Sequence, residues 1–271
     1  MTRKLVRSNL SRNRVVSASM VAFLALASAL LASALILGLA VVGTVDGFME
    51  SARTPHFMQM HQGPVNEERL ASFAASRPEV VAFEVIDYLN VQNTQLRFGQ
   101  TSLEAEVQQN GFVTQPRHMD LLLKFDGEVA RPMPGEIYVP TPYVTKYGLE
   151  PGNEVSLHAG GEVLTFVVAG AFRDSQMNSS LASSKRLLLH ESDYATAAKL
   201  LGTEPERLIS FRLQDPSAVP AFEAAYFAAG LEASGPTLTW ALFRLVNGLN
   251  DGLTVLFFVL MSGLVLLIAF L

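Results

Sequence analysis

The chain has 271 residues, 49% of them hydrophobic, and a formal net charge of −5. A mean hydropathy of +0.28 is too high for an ordinary soluble domain and too low for a polytopic bundle. The absence of cysteine excludes a disulfide scaffold, cysteine-ligated zinc or iron–sulfur, and a thiol nucleophile.

The excess apolar residues lie at the two ends. Residues 1–14 carry Arg3, Lys4, Arg7, Arg12 and Arg14 and no acid. This start is read either as a helix on the membrane surface or as a plain basic juxtamembrane tail; composition leaves both open. No charge follows from Val15 to Val45, nor again from Gly252 to Leu271. At about 1.5 Å per residue each run reaches across a hydrocarbon core of about 30 Å, and the first overshoots it. Residues 15–45 and 253–271 are therefore predicted spans. Basic residues beside a span stay in the cytoplasm, so residues 46–250 are expected outside the cell membrane. A secretory signal peptide competes for the first run, but its apolar region covers only about 7–15 residues.

The outer region, 46–237, reads as mixed α and β. Asn66 is a predicted N-cap, with Glu67 and Glu68 in the first turn and Pro78 as the stop. VVAFEVIDYLNV (80–91) has strand composition. LLLKF (121–125) before Asp126-Gly127 predicts a strand and turn, EIYVP (136–140) a short strand, and TPYVTKYG (141–148) a short helix closed by Gly148. Pro151-Gly152-Asn153 predicts a turn into a strand, and EVLTFVVAGAF (162–172) is the most strand-like segment. Ser192 is the predicted cap of a helix ended by Gly202, RLISFRL (207–213) a strand, and Asp215-Pro216 the start of a helix ended by Gly230. From Leu238 a helical stripe of Leu242, Leu245, Val246, Leu249 and Leu253 runs without a proline into the second apolar run. Residues 238–252 are thus a predicted stalk helix, matched by the end of the first span. The expected fold class is a membrane protein: two transmembrane α-helices with helical stalk extensions flanking an α+β extracytoplasmic domain.

Motifs for chemistry are sparse. There is no G-x-x-x-x-G-K-S/T and no G-x-G-x-x-G, so any ATP-driven step needs a nucleotide-hydrolysing partner. The five histidines (His56, His61, His118, His158, His190) form no zinc-ligand spacing. The serines after Phe172 lack the elbow of a hydrolase nucleophile, and Asn178-Ser179-Ser180 matches a glycosylation acceptor only formally. Phe57, Met58 and Met60 read as packing or as an adaptable partner contact. Arg173, Lys185 and Arg186 make a local positive cluster, read as an anion or lipid-headgroup contact or as a satisfied loop. No catalytic residue, cofactor or metal ligand is assigned.

Taken in order, several stretches carry a resemblance. LVRSNLSRNRVVSASMVAFLALASALLASALILGL is similar to the basic helix and first span of FtsX-like (MacB-type) ABC transporter permeases. EIYVPTPYVTKYGLEPGNEVSL with LTFVVAGAF resembles their extracytoplasmic core, and FRDSQMNSSLASSKRLLL resembles a segment of their Gram-positive branch. DPSAVPAFEAAYFAAGLEASGPTLTWALFRLVNGLNDGL is similar to their approach to the second span. The resemblance implies a permease subunit that relays the motion of a cytoplasmic ABC ATPase to the outer domain, for export or extraction of lipid or peptide cargo or for activation of cell-envelope partners. It implies a second permease copy or the remaining permease half, membrane lipids, and no nucleic acid. It also implies a partner surface around Arg173, Asp174, Gln176, Asn178, Ser179, Lys185 and Arg186, with Arg3, Lys4, Arg7, Arg12 and Arg14 on the membrane-surface or ATPase side. Members of the family have at least four spans, so the chain is expected to be the front portion of a longer permease or to work with a separate remainder. A two-span sensor or accessory protein whose outer domain binds a peptide or lipid is the alternative; a membrane-anchored hydrolase has no supporting site.

Overall fold

The computed structural model describes residues 14–177 and 183–270. It divides into two compact units, one made by the chain up to Thr44 and from Asp251 onward, the other by Val45–Asn250.

The first unit is helical, from parts of α1 (Arg14–Ser51) and of the last helix, Trp240–Phe270. Met20, Phe23, Leu35, Ile36 and Leu37 are exposed on several sides of α1, a pattern suited to lipid rather than to a water-facing helix. Ser28 and Thr44 donate their hydroxyls to the carbonyls of Leu24 and Ala40 at 2.7 and 2.8 Å, so neither leaves an unmet polar group. Ala18–Leu37 is long and apolar enough to cross a membrane.

The Val45–Asn250 unit follows as β1 (Phe57–His61), α2 (Glu67–Ala75), β2 (Val80–Val91), β3 (Leu96–Phe98), β4 (Thr101–Ser102) and β5 (Gln109–Val113). Then come β6 (Glu136–Pro140), α3 (Thr141–Tyr147), β7 (Glu154–Ala159), β8 (Glu162–Phe172) and β9 (Ser184–Leu189). The chain closes with α4 (Glu191–Leu201), β10 (Glu206–Leu213), α5 (Val219–Ala228), β11 (Thr237–Thr239) and α6 (Trp240–Phe270). The strands order as β11-β1-β10-β2-β5-β9-β6-β8-β7-β3-β4, with β5–β9 and β6–β8 parallel. β2 is shared: Val80–Tyr88 pairs with β10, and Leu89–Val91 pairs with β5.

Two hydrophobic cores sit on either side of that change of partner. Phe57, Phe73, Phe211, Phe222 and Tyr226 interlock with ring centroids 5.0–6.3 Å apart under α2 and α5. Phe112, Ile137, Tyr143, Leu157, Leu187 and Ala197 pack the larger part against α3 and α4. Gly111 in β5 lies beneath the Tyr88 ring, where a Cβ would come within 2.3 Å of a ring carbon. Only glycine admits that approach.

Strongly local signals give the elements they predict. Asn66 caps α2 by accepting the Arg69 N–H at 2.9 Å, Gly148 ends α3 in the left-handed conformation, and β6 and β8 occupy the predicted residues. Four predictions change. LLLKF is not a strand; Leu122 and Leu123 are buried in a loop, and only Leu123 forms bridges, to Val129 and Arg173. The cap of α4 is His190, whose Nδ1 accepts the Ser192 N–H at 3.2 Å. Asp215 caps a 3-10 turn, Pro216–Ala218, rather than α5 itself. Leu238 belongs to β11, paired with Met58, so the last helix starts at Trp240.

Candidate coupling site

The ends of α1 and α6 within the Val45–Asn250 unit meet the sheet at one edge of the fold. Val45 and Met49, four apart on one helix face, are buried, and so is Ala52 just past the helix. The Ala52 and Arg53 carbonyls accept the Leu121 and Asp120 N–H groups at 2.8 and 3.0 Å. The segment before Asp120 is tied to β2: Glu84 accepts the N–H groups of Arg117, His118 and Met119 at 2.8, 3.0 and 3.2 Å. Arg53 and Asp120, bonded to each other, are the two non-glycine residues with positive φ among the described residues, at 51° and 55°. Such conformations persist only where the surroundings hold them, and they gather at functional contacts.

α6 is fixed to the same edge. The Trp240 N–H donates to the His56 carbonyl at 2.9 Å, and the two rings meet edge-on with centroids 4.8 Å apart. Arg212 lies over Trp240, donates to the Thr54 carbonyl at 2.7 Å and pairs with Glu50. The two helix ends are joined directly by a bidentate pair: Arg244 Nε and Nη2 donate to Asp46 at 2.6 and 2.8 Å. Asn247 Nδ2 donates to the Ser175 carbonyl at 2.7 Å, and the Arg173 guanidinium sits 3.9 Å from the Phe48 ring. The loop after β8 thus touches both helices.

Behind these contacts lies a buried ion cluster. Arg186, in β9, donates through Nε and Nη2 to Asp174 at 2.6 and 2.5 Å, and through Nη1 and Nη2 to Asp120; all three side chains are fully buried. Asp174 also accepts the Gln176 and Met177 N–H groups at 2.8 and 2.9 Å. Burial opposes its ionisation, but Arg186 and these amides outweigh burial and hold its carboxyl below the usual range. Burial pushes the Asp120 carboxyl up to about 6 against the pull of Arg186. The guanidinium is held charged by both acids despite its burial. Next along the strand, burial lowers the Lys185 ammonium to about 8. His56 is lowered to about 4 by burial and by Arg212; its Nδ1 accepts the Leu213 N–H at 3.1 Å.

The expected partner surface is therefore corrected. Asp174, Gln176, Lys185 and Arg186 are buried, because β9 is a central strand and the charges of Arg186 and Asp174 are met inside the fold. Arg173 is half-buried against Phe48. Asn178 and Ser179 lie outside the described residues, as do Arg3, Lys4, Arg7 and Arg12, while Arg14 begins α1. Asp120, Asp46, Glu50, Arg212 and Arg244 were not predicted. Arg244 carried a signal, as the one basic residue after Leu238; Asp120 carried none, since its partner lies 66 positions away. Phe57, Met58 and Met60 lie in β1, with Phe57 and Met58 buried as packing residues. Among the described residues no group of histidines and acids is placed to hold a metal ion.

No protein-family model and no curated protein matches the chain. Solved structures do. The periplasmic region of MacB from Actinobacillus actinomycetemcomitans is similar with a TM-score of 0.39 and 12% identity, over 73% of this chain and 94% of that one. The extracellular domain of the noncanonic ABC-type transporter YknZ from Gram-positive bacteria is similar with a TM-score of 0.37 and 13% identity, over 68% and 98%. A domain of a permease protein from Porphyromonas gingivalis is similar with a TM-score of 0.36 and 12% identity, over 66% and 85%.

Proposed function

We propose that this chain is a permease subunit of an FtsX-like, MacB-type ABC transporter, relaying the ATP-driven motion of a separate cytoplasmic ATPase to an extracytoplasmic domain. In this reading residues 1–14 lie at the cytoplasmic face and 15–45 and 253–271 span the membrane. Residues 46–237 form the outer domain and 238–252 a stalk. The assembly includes a second permease copy or the remaining permease half. The cargo is lipid or peptide, or the moved element is a cell-envelope partner.

One observation carries the reading: the ends of both long helices are cross-linked to each other, to the loop after β8 and to Arg212 of β10. Asp46–Arg244 joins helix to helix, Glu50–Arg212 and Asn247–Ser175 join helix to domain, and the loops are pinned by Arg186. A displacement of one helix end is then passed to strands β2, β9 and β10 rather than absorbed in a loose connection. The ordered sequence segments support the family, and the want of a phosphate-binding motif in this sequence supports a separate nucleotide-hydrolysing partner. Copurification of the chain from native membranes tests this. An ABC ATPase is expected in the complex, and repeated isolation of an intact complex without one favours the two-span sensor instead.

A further inference from the structure

At the opposite edge of the Val45–Asn250 unit a cleft of about 500 Å³ opens where β2 changes partner. The geometry explains the opening. β10 begins at Glu206, opposite Tyr88, while β2 continues to Val91 alongside β5 only. The space beside Asn90 is left uncovered by any strand of the sheet. Its size falls within the about 300–1,000 Å³ of small-ligand sites.

The lining is chemically narrow. Six carboxamide residues, Gln62, Asn90, Gln92, Asn93, Gln95 and Gln109, line it, together with Leu201 and with Val91, whose side chain belongs to the core. Among the described residues it includes no lysine, arginine, histidine or aromatic residue. Without cations it has no charge to pair with a phosphate or a carboxylate ligand, and without aromatic faces it lacks a platform for stacking a sugar ring. Carboxamides present a donor and an acceptor side by side, the complement of a peptide group. The amides are also held in place. Asn93 Nδ2 donates to the Glu106 and Gln108 carbonyls at 2.8 and 3.0 Å, while its Oδ1 accepts from buried Asn110 at 2.7 Å. Asn110 in turn accepts from the Tyr143 hydroxyl at 2.7 Å. The Gln92 N–H donates to Gln95 Oε1 at 3.1 Å, closing the 3-10 turn Asn93–Gln95. A polar site supported by a second layer of buried partners is preorganised, which lowers the cost of binding.

We infer that this cleft binds an uncharged, extended peptide segment through its main-chain groups, with half-buried Leu201 offering the apolar contact for a small side chain. Half-buried Glu206, whose carboxyl is raised by burial and hydrogen-bonded by Asn90, adds a polar group at the rim. The site needs no ATPase, so its test is separate from that of the relay.

The test uses the full chain in lipid nanodiscs, titrated by calorimetry with N-acetyl-trialanine amide and, separately, with an N-acetylglucosamine trimer. Gln62 and Gln109 are exposed, so the Gln62→Ala/Gln109→Ala variant is expected to melt like the parent. The capped peptide is expected to bind the parent, and the double variant to bind about tenfold more weakly, as for the loss of two modest hydrogen bonds. Failure of the peptide to bind, or equal binding by the double variant, overturns the proposal. Binding of the sugar trimer with no peptide binding overturns it in favour of a carbohydrate site.

Discussion

At the helix edge of the Val45–Asn250 unit, Arg186, Asp120 and Asp174 are fully buried and meet one another's charges; at the far edge, Gln62, Asn90, Gln92 and Gln109 stand open around a cleft. Both edges are polar, and sequence composition hardly separates them. The difference is where the hydrogen-bonding capacity points. Inward-pointing capacity fixes the register of loops against strands, and outward-pointing capacity is available to a ligand. A charge cluster in a sequence is thus no guide to a surface until the partners of each charge are known.

The largest expected effect tests the inward half of this contrast. Arg186→Met leaves two carboxylates buried without their cation, and is expected to destabilise the unit by roughly 3–5 kcal/mol. Urea unfolding of the full chain in detergent, followed by Trp240, the single tryptophan, reads this at the junction itself. Gly111→Ala comes next. The added Cβ collides with the Tyr88 ring, whose hydroxyl donates to the Lys185 carbonyl at 3.0 Å, and roughly 1–3 kcal/mol is expected to be lost in the same assay.

A smaller effect depends on pH. The folded-state value of His56 is lowered from 6.5 to about 4, so the stability it contributes is present above about pH 6.5 and lost as pH falls through 4. Asp120 has the opposite sign: its folded value is raised from 3.8 to about 6, so its contribution is complete below about pH 3.8 and lost as pH rises through 6. The two oppose each other between pH 4 and 6. Asp120→Asn is expected to steepen the acid-side loss of stability in that window, and His56→Gln to flatten it, in unfolding curves collected at each pH. The smallest effect on stability belongs to the partly exposed Asp46–Arg244 pair. Arg244→Ala is expected to cost below about 1 kcal/mol, so a larger loss in an assay of the proposed relay reflects coupling rather than folding.

What the sequence discloses follows the range of the interactions involved. α2 with its Asn66 cap, α3 with Gly148, and the apolar strands β6 and β8 rest on signals within a few residues, and they are legible. β9 is not. Lys185 and Arg186 read as an anion or headgroup contact or as a satisfied loop, because nothing nearby reveals that Asp120, 66 positions from Arg186, neutralises the arginine inside the fold. LLLKF fails in the opposite sense, since its leucines are buried from a loop and burial alone satisfies an apolar run. The helix-edge site was legible only as a set of polar residues after Phe172. The far cleft was not legible at all, because it exists through the pairing of β2 with two different strands.

The relay itself is tested most directly by a distance. Spin labels at Asp46→Cys and Arg244→Cys, introduced into a chain that has no cysteine of its own, report the separation of the two helix ends. The labelled chain is reassembled with its copurified ATPase and measured without nucleotide, with ATP and with ADP. The account predicts a distance distribution that shifts with the nucleotide state. A distribution identical in all three states, in a complex that is hydrolysing ATP, contradicts it.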